Sequence, residues 1–168
     1  MLPASLHNHP AEIPGAVEIL CASLRREGKE VVLAYADCGT YGALDELCRR
    51  LRVERLAGLH CYDLLAGDAE VAALLEDEPG TYLLTDFLVR SFDRLVARPL
   101  GIDRDPDLVE DYFTHYRRIV WLTERPDPSL EHRAREIAAV LRLDLEIRVV
   151  GPRRIAKALT ELFRRGVA

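Results

Sequence analysis

Short, unbroken apolar runs alternate along this chain with longer stretches whose apolar residues recur every three or four positions. The first pattern predicts strands covered on both faces, and the second predicts amphipathic helices. Leu2 to Leu6 reads as the end of a strand. A helix follows, with Pro14 in its first turn and a stripe of Ile13, Val17, Ile19, Leu20 and Leu24; Gly28 ends it. EVVLAYA at 30–36 reads as a strand that runs straight into Asp37-Cys38-Gly39-Thr40. A helix is expected over 43–52, with Leu44, Leu47, Cys48 and Leu51 on one face. A short strand at 54–59 ends at His60-Cys61-Tyr62, and a helix over 68–75 stops before Pro79-Gly80.

The second half repeats the alternation. A strand at 80–86 leads to a helix over 87–97 with Leu88, Phe92, Leu95 and Val96 inward; 98–105 reads as a loop. A helix at 106–115, a strand at 117–124, a helix opened by Pro128 and running to 141, and a strand at 145–150 follow. The last helix ends near 165, with Ile155, Leu159, Leu162 and Phe163 inward. Strand–helix alternation of this kind predicts an α/β fold. The expected form is a three-layer, open, mostly parallel and Rossmann-like sheet with helices on both faces. The 168 residues suit a single domain.

Composition narrows the function classes. With 49% apolar and 30% charged residues the chain can bury a core without staples. A net charge of -5 argues against nucleic acid as the main partner. The start MLPASLHNHP has neither a basic nor an apolar leader region, and no apolar run approaches the ~20 residues of a membrane span. A cytoplasmic protein is expected. Its cysteines, Cys21, Cys38, Cys48 and Cys61, are then thiols or metal ligands.

In an open parallel sheet, ligands bind beyond the carboxyl ends of the strands. His7, Asn8 and His9 follow the first strand, Asp37 to Thr40 the second, His60 to Tyr62 the third, Thr85 and Asp86 the fourth, and Thr123 and Glu124 the fifth. His7, Cys38 and Cys61, with His60 in reserve, form a mixed nitrogen–sulfur set suited to zinc or ferrous iron. Two other readings stand beside it. Cys38, placed before a helix, is a candidate thiolate nucleophile with His60 or His7 as base, its neighbours Gly39 and Thr40 offering N–H groups to an anion. Or each cysteine packs as a small hydrophobe, the expectation for Cys21 and Cys48 on apolar helix faces. Asp86 is either an acidic first-turn residue, with Arg90 paired to Asp93, or a carboxylate that orients a histidine ligand. Tyr112, Phe113, Tyr116 and Trp121 read as core or subunit contact. No GxGxxG or GxxxxGK[ST] motif occurs, so no dinucleotide or P-loop nucleotide is expected.

LHNHPAEIP, YADCGTYGALD, LHCYDLLAG, EPGTYLLTDFLVRSFDRLV and DYFTHYRRIVWL resemble a bacterial and archaeal family known only as a domain of unknown function. The resemblance covers nearly the whole chain. It implies a cytosolic α/β protein whose gene often neighbours corrinoid methyltransferases, hence a role in methyl transfer or its support, with a corrinoid or methyltransferase protein as partner. Carried over by motif, the polar positions that would bind substrate or act on it are His7 and Asn8, Asp37 to Thr40, His60 to Tyr62, and Asp86 with Arg90. Members of the family begin earlier, with a further strand, a Cys-containing turn and a helix. A shortened start would deplete the site of a ligand and expose a sheet edge that invites dimerisation.

Overall fold

A computed structural model describes residues 2–3, 6, 8–151 and 153–166. The chain divides into two compact units, residues 1–64 with 153–168, and residues 65–152.

The first unit contains helix α1 (Ile13–Arg26), reached through a 3-10 turn at Pro10–Glu12, helix α2 (Ala43–Leu51), most of the short helix α3 (Cys61–Leu65), and α9 (Arg153–Gly166). Ile13, Val17 and Cys21 on α1 and Leu44, Leu47 and Cys48 on α2 close into one apolar cluster with Leu6 and Val53. Ile19 is not part of the stripe: it lies off the 13-17-21 face and is 73% exposed. Phe163, expected inward on α9, is likewise exposed, whereas Leu162 is fully buried. The strand end expected at Leu2–Leu6 is absent among the described residues there. The Leu6 N–H donates to Pro3 C=O (3.3 Å) and the His9 N–H to Leu6 C=O (3.1 Å), which are turn bonds.

The expected strands at 30–36 and 54–59 are extended and run parallel, but they form a single bridge, Leu33 with Arg55. Leu33 N–H donates to Glu54 C=O (2.8 Å), and Leu56 N–H to Leu33 C=O (3.0 Å). The carbonyls of Tyr35 and Leu56, which the next rung would use, instead accept from Arg55 Nη1 at 3.4 and 2.6 Å. Asp45 on α2 holds that guanidinium in a two-pronged pair (2.5 and 2.9 Å). Pairing then resumes in the same register, with Asp37 N–H on Gly58 C=O (2.9 Å) and Cys38 N–H on Leu59 C=O (2.7 Å).

The second unit is regular. Helix α4 (Asp68–Asp77) precedes strand β1 (Thr81–Thr85), helix α5 (Asp86–Phe92), helix α6 (Arg98–Leu100), helix α7 (Leu108–Phe113), strand β2 (Arg118–Thr123), helix α8 (Pro128–Leu141) and strand β3 (Asp144–Val149). The strands form an all-parallel sheet in the order β1-β2-β3. With helices packed around it the architecture is α/β and Rossmann-like. The helix expected over 87–97 extends to Leu100, because a π turn at Asp93–Ala97 carries it into α6 and overrides the expected loop. In β2, Ile119, Val120, Trp121 and Leu122 are all fully buried, the burial expected of a central parallel strand. Gly80 is required before β1: a Cβ there would stand 2.6 Å from the His115 carbonyl oxygen. Tyr82 meets Phe113 and Tyr116 edge to face, 5.4 Å from each ring, and Phe113 and Trp121 are buried as expected of core, whereas Tyr112 is exposed.

Candidate functional site

The parallel pairing of 33–38 with 55–60 brings the second and third strand ends together. Cys38 lies beside His60 and Cys61, and the Cys61 backbone N–H is directed at the Cys38 sulfur. Tyr35 is close enough that charge on either sulfur raises its hydroxyl pKa, after burial, the larger cause. All four cysteines are free thiols.

Between the pairing and α2, the chain makes an unusual turn. Cys38, Gly39, Tyr41 and Gly42 all have positive φ (50, 84, 52 and 87°). Glycine adopts this region freely, but Cys38 and Tyr41 do so at a cost, a form of strain that concentrates at functional sites. The turn is held by Asp37. Its carboxylate accepts from the Thr40 hydroxyl, the Tyr41 N–H (2.9 Å) and the Gly42 N–H (3.1 Å). The anion that these donors hold is therefore the chain's own carboxylate. Burial opposes its charge, but the Thr40 hydroxyl, the two N–H groups and Arg55 outweigh burial and hold the Asp37 carboxyl below the usual aspartate range. Thr40 also takes the Leu44 N–H (3.3 Å), so Asp37 and Thr40 both anchor the start of α2.

Helix α2 begins at Ala43 as expected, which leaves Cys38 five residues ahead of it, at the start of the positive-φ turn. Cys38 is half-buried against the apolar cluster. Burial pushes its thiol up, and the Cys61 N–H only partly offsets this. Cys61, the first residue of α3, is pushed up to about 12 by burial first and by Cys38 second. His60 is exposed and shares Asp63 with the backbone: Asp63 Oδ2 accepts from the Leu59 N–H (3.0 Å) and the His60 N–H (2.8 Å), and lies 3.7 Å from His60 Nδ1. The Tyr62 ring stacks on the His60 ring, with centroids 6.3 Å apart. Cys21 and Cys48 are buried in the core.

Asn8 is exposed in a turn. Gly39 is half-buried, and a Cβ there would touch Pro10. His7, the third expected metal ligand, lies outside the described residues. Among the described residues no group of three or more His, Cys, Asp and Glu stands ready to hold a metal; two of the three expected ligands, Cys38 and Cys61, are neighbours.

Asp86 and Arg90 belong to the second unit. Thr85 caps α5 by accepting the Leu88 N–H (3.3 Å), and Asp86 Oδ1 accepts from the indole of the fully buried Trp121 (2.9 Å). Asp93 pairs with Arg133 (2.6 Å), not with Arg90 as expected, because α8 offers a closer guanidinium. Asp86 and Arg90 line a cleft of about 660 Å³ with Glu124, Arg125, Asp127 and Leu130, at the carboxyl ends of β1 and β2.

The family model described as "Protein of unknown function (DUF1638)" matches residues 1–159. The chain belongs to this family. No curated protein and no solved structure matches it. For this DUF1638 member, the residues that sequence patterns missed are Tyr35, Asp45, Arg55 and Asp63. Arg55 carried a signal, being a charged residue at the second position of a run expected to be a strand. Asp63 carried another: it follows His60 by three positions, the spacing of a capping box. No helix among the described residues is long and apolar enough to cross a membrane.

Proposed function

We propose that Cys38 and Cys61 are thiolate ligands of a soft divalent metal, zinc or ferrous iron, and that the metal activates a thiol or methyl-group substrate in one-carbon metabolism. The observation that carries this reading is the parallel pairing that sets the two cysteines side by side although 22 residues separate them in the sequence. Burial penalises both sulfurs for ionising, and Cys38 adds to the penalty on Cys61. A divalent cation removes that penalty for both at once. Imidazole nitrogen comes from His60 or His7; the carboxylate of Asp63 near His60 Nδ1 favours the tautomer whose Nε2 is the ligand atom. Bound metal would lower the pKa of a substrate thiol and present it as thiolate. The raised Cys38 thiol counts against the metal-free nucleophile. In this reading the protein works in the cytoplasm, alongside a corrinoid or methyltransferase protein.

The test is a cobalt(II) titration of the metal-stripped full chain, with total metal measured on the protein as purified. A sulfur-to-cobalt charge-transfer band that saturates at one equivalent, and vanishes in both Cys38→Ser and Cys61→Ser but not in Cys48→Ala, is expected. A band that survives the double serine variant, or no band in the wild type, defeats the reading. Metal binding and partner capture without turnover of any thiol or methyl donor would assign the site an accessory role.

A further inference from the structure

The cleft in the second unit has a charge pattern of its own. Its floor follows β1 and β2, where an open parallel sheet places ligands, and its volume of about 660 Å³ is within the range of small-molecule sites (~300–1,000 Å³). Of its three carboxylates, two are engaged by the protein. Asp86 accepts the Trp121 indole N–H, and Asp127 caps α8, accepting from the Ser129 hydroxyl and from the N–H groups of Leu130 (3.2 Å) and Ser129 (2.9 Å). These bonds hold the Asp127 carboxyl below its usual range, with Arg90 adding to them. Arg90 acts on Asp127 through space, without a hydrogen bond or close ion pair. Among the described residues, neither Arg90 nor Arg125 has a hydrogen bond or an ion pair, and neither has the Glu124 carboxylate. Beside Glu124, Thr123 has a buried hydroxyl without a partner, 1% exposed, on the face of β2 that also carries Trp121. Buried polar groups are almost always satisfied, and an exception calls for a reason such as a water or ion that completes it; Thr123 adjoins the cleft in sequence and does not itself line it.

Two guanidinium groups alone would call for an anion, but three carboxylates in the same lining oppose a purely anionic ligand. A free carboxylate alone would call for a cation, which the arginines repel. The combination suits a molecule carrying both signs. We propose that this cleft binds a small zwitterionic metabolite of amino-acid type, its carboxylate or phosphate on Arg90 and Arg125 and its ammonium on Glu124. The cleft is built from residues of the second unit alone and the cysteine pair from residues of the first, and the two are tested with different probes.

The experiment is ¹H–¹⁵N NMR of the full chain titrated with four probes: L-serine, O-phospho-L-serine, lactate and ethanolamine. The two zwitterions are expected to shift the Arg90 and Arg125 side-chain signals and the Ser129 and Leu130 amides. Lactate and ethanolamine, each lacking one charge, are expected to bind at least about tenfold more weakly. The serine and phosphoserine arms distinguish a carboxylate-sized from a phosphate-sized anion pocket. Arg125→Gln and Glu124→Gln should each weaken the zwitterions about tenfold, and Arg148→Gln, on the edge strand, should not. Equal binding of lactate and serine, unchanged affinity in both cleft variants, or no shift with any probe overturns the proposal. Metal binding by Cys38 and Cys61 is unaffected by any of these outcomes.

Discussion

The two parallel pairings of this chain are built on different terms. In the second unit, β1, β2 and β3 pair rung after rung, and the central strand is buried along most of its length. In the first unit, one bridge forms, and the guanidinium of Arg55 takes the carbonyls of the next rung. The regular sheet is held by apolar burial, which does not depend on one contact. The irregular pair also packs on the apolar cluster through Val31, Leu33, Tyr35 and Val53, but its two segments are joined by only a few polar bonds. That is the less robust construction, and it carries four positive-φ residues in a row of five and both neighbouring thiols. The contrast is one of construction: apolar burial runs along most of the central strand of the regular sheet, whereas the irregular pair ends in a positive-φ turn beside two thiols.

The sharpest way to break the contrast is chemical. Because burial raises Cys38 and Cys61, the latter to about 12, both are protonated at neutral pH. Alkylation of Cys61 by iodoacetamide in metal-stripped protein should be on the order of a hundredfold or more slower than that of an unperturbed thiol, and should still be rising above about pH 9, where an unperturbed thiol levels off. Mass spectrometry of the labelled sites reads this. Fast labelling of Cys61 at pH 7 means the sulfur is not enclosed as described.

Stability measurements come next. Trp121→Ala should cost about 3–5 kcal/mol by urea unfolding, since a fully buried ring is removed from the central strand. Trp121→Phe should cost far less and isolate the loss of the indole–Asp86 bond. Arg55→Met should cost about 2 kcal/mol, because the carbonyls of Tyr35 and Leu56 lose a charged donor. Amide exchange at Asp37 and Cys38 should quicken in that variant; if it stays slow, the clasp does not hold the pair together.

Asp37→Ala should cost about 2 kcal/mol, with Asp37→Asn recovering part of it by keeping an acceptor. The pH dependence has a fixed sign. The folded carboxyl titrates below its unfolded value, so its stabilisation is present above the ordinary aspartate range. It is lost as pH falls through the depressed folded value. Wild type should lose stability in that acid window and Asp37→Asn should lose less; parallel curves for the two would remove Asp37 from this role. The smallest effect is at Tyr41, 96% exposed and at φ 52°. Tyr41→Asn should gain about 0.5 kcal/mol by relieving a left-handed conformation that Asn tolerates. A loss instead would mean that the tyrosine ring is used.

Much of the second unit was legible because its pattern and its packing agree. The run RRIVWLTE, the opening Pro128 and the Asp127 cap specify a strand, a turn and a helix locally. Less of the first unit was legible. EVVLAYA has a strand's composition, but a guanidinium supplied by its partner segment and fixed from α2 replaced the ladder. DCGT suggested an anion-binding turn before a helix; the turn exists, but Asp37, four and five residues before the N–H groups it accepts, already fills it.

The order of apolar runs and amphipathic stretches by itself determined the α/β class, the parallel sheet and the location of polar residues at strand ends, because side-chain periodicity is a local property. Which of those polar residues meet was decided only by tertiary structure. The proximity of Cys38 and Cys61, the commitment of Asp37, Asp86 and Asp127 to the chain's own donors, and the lack of hydrogen bonds at Arg90, Arg125 and Glu124 among the described residues depend on register and on side chains reaching across elements. No local pattern encodes that.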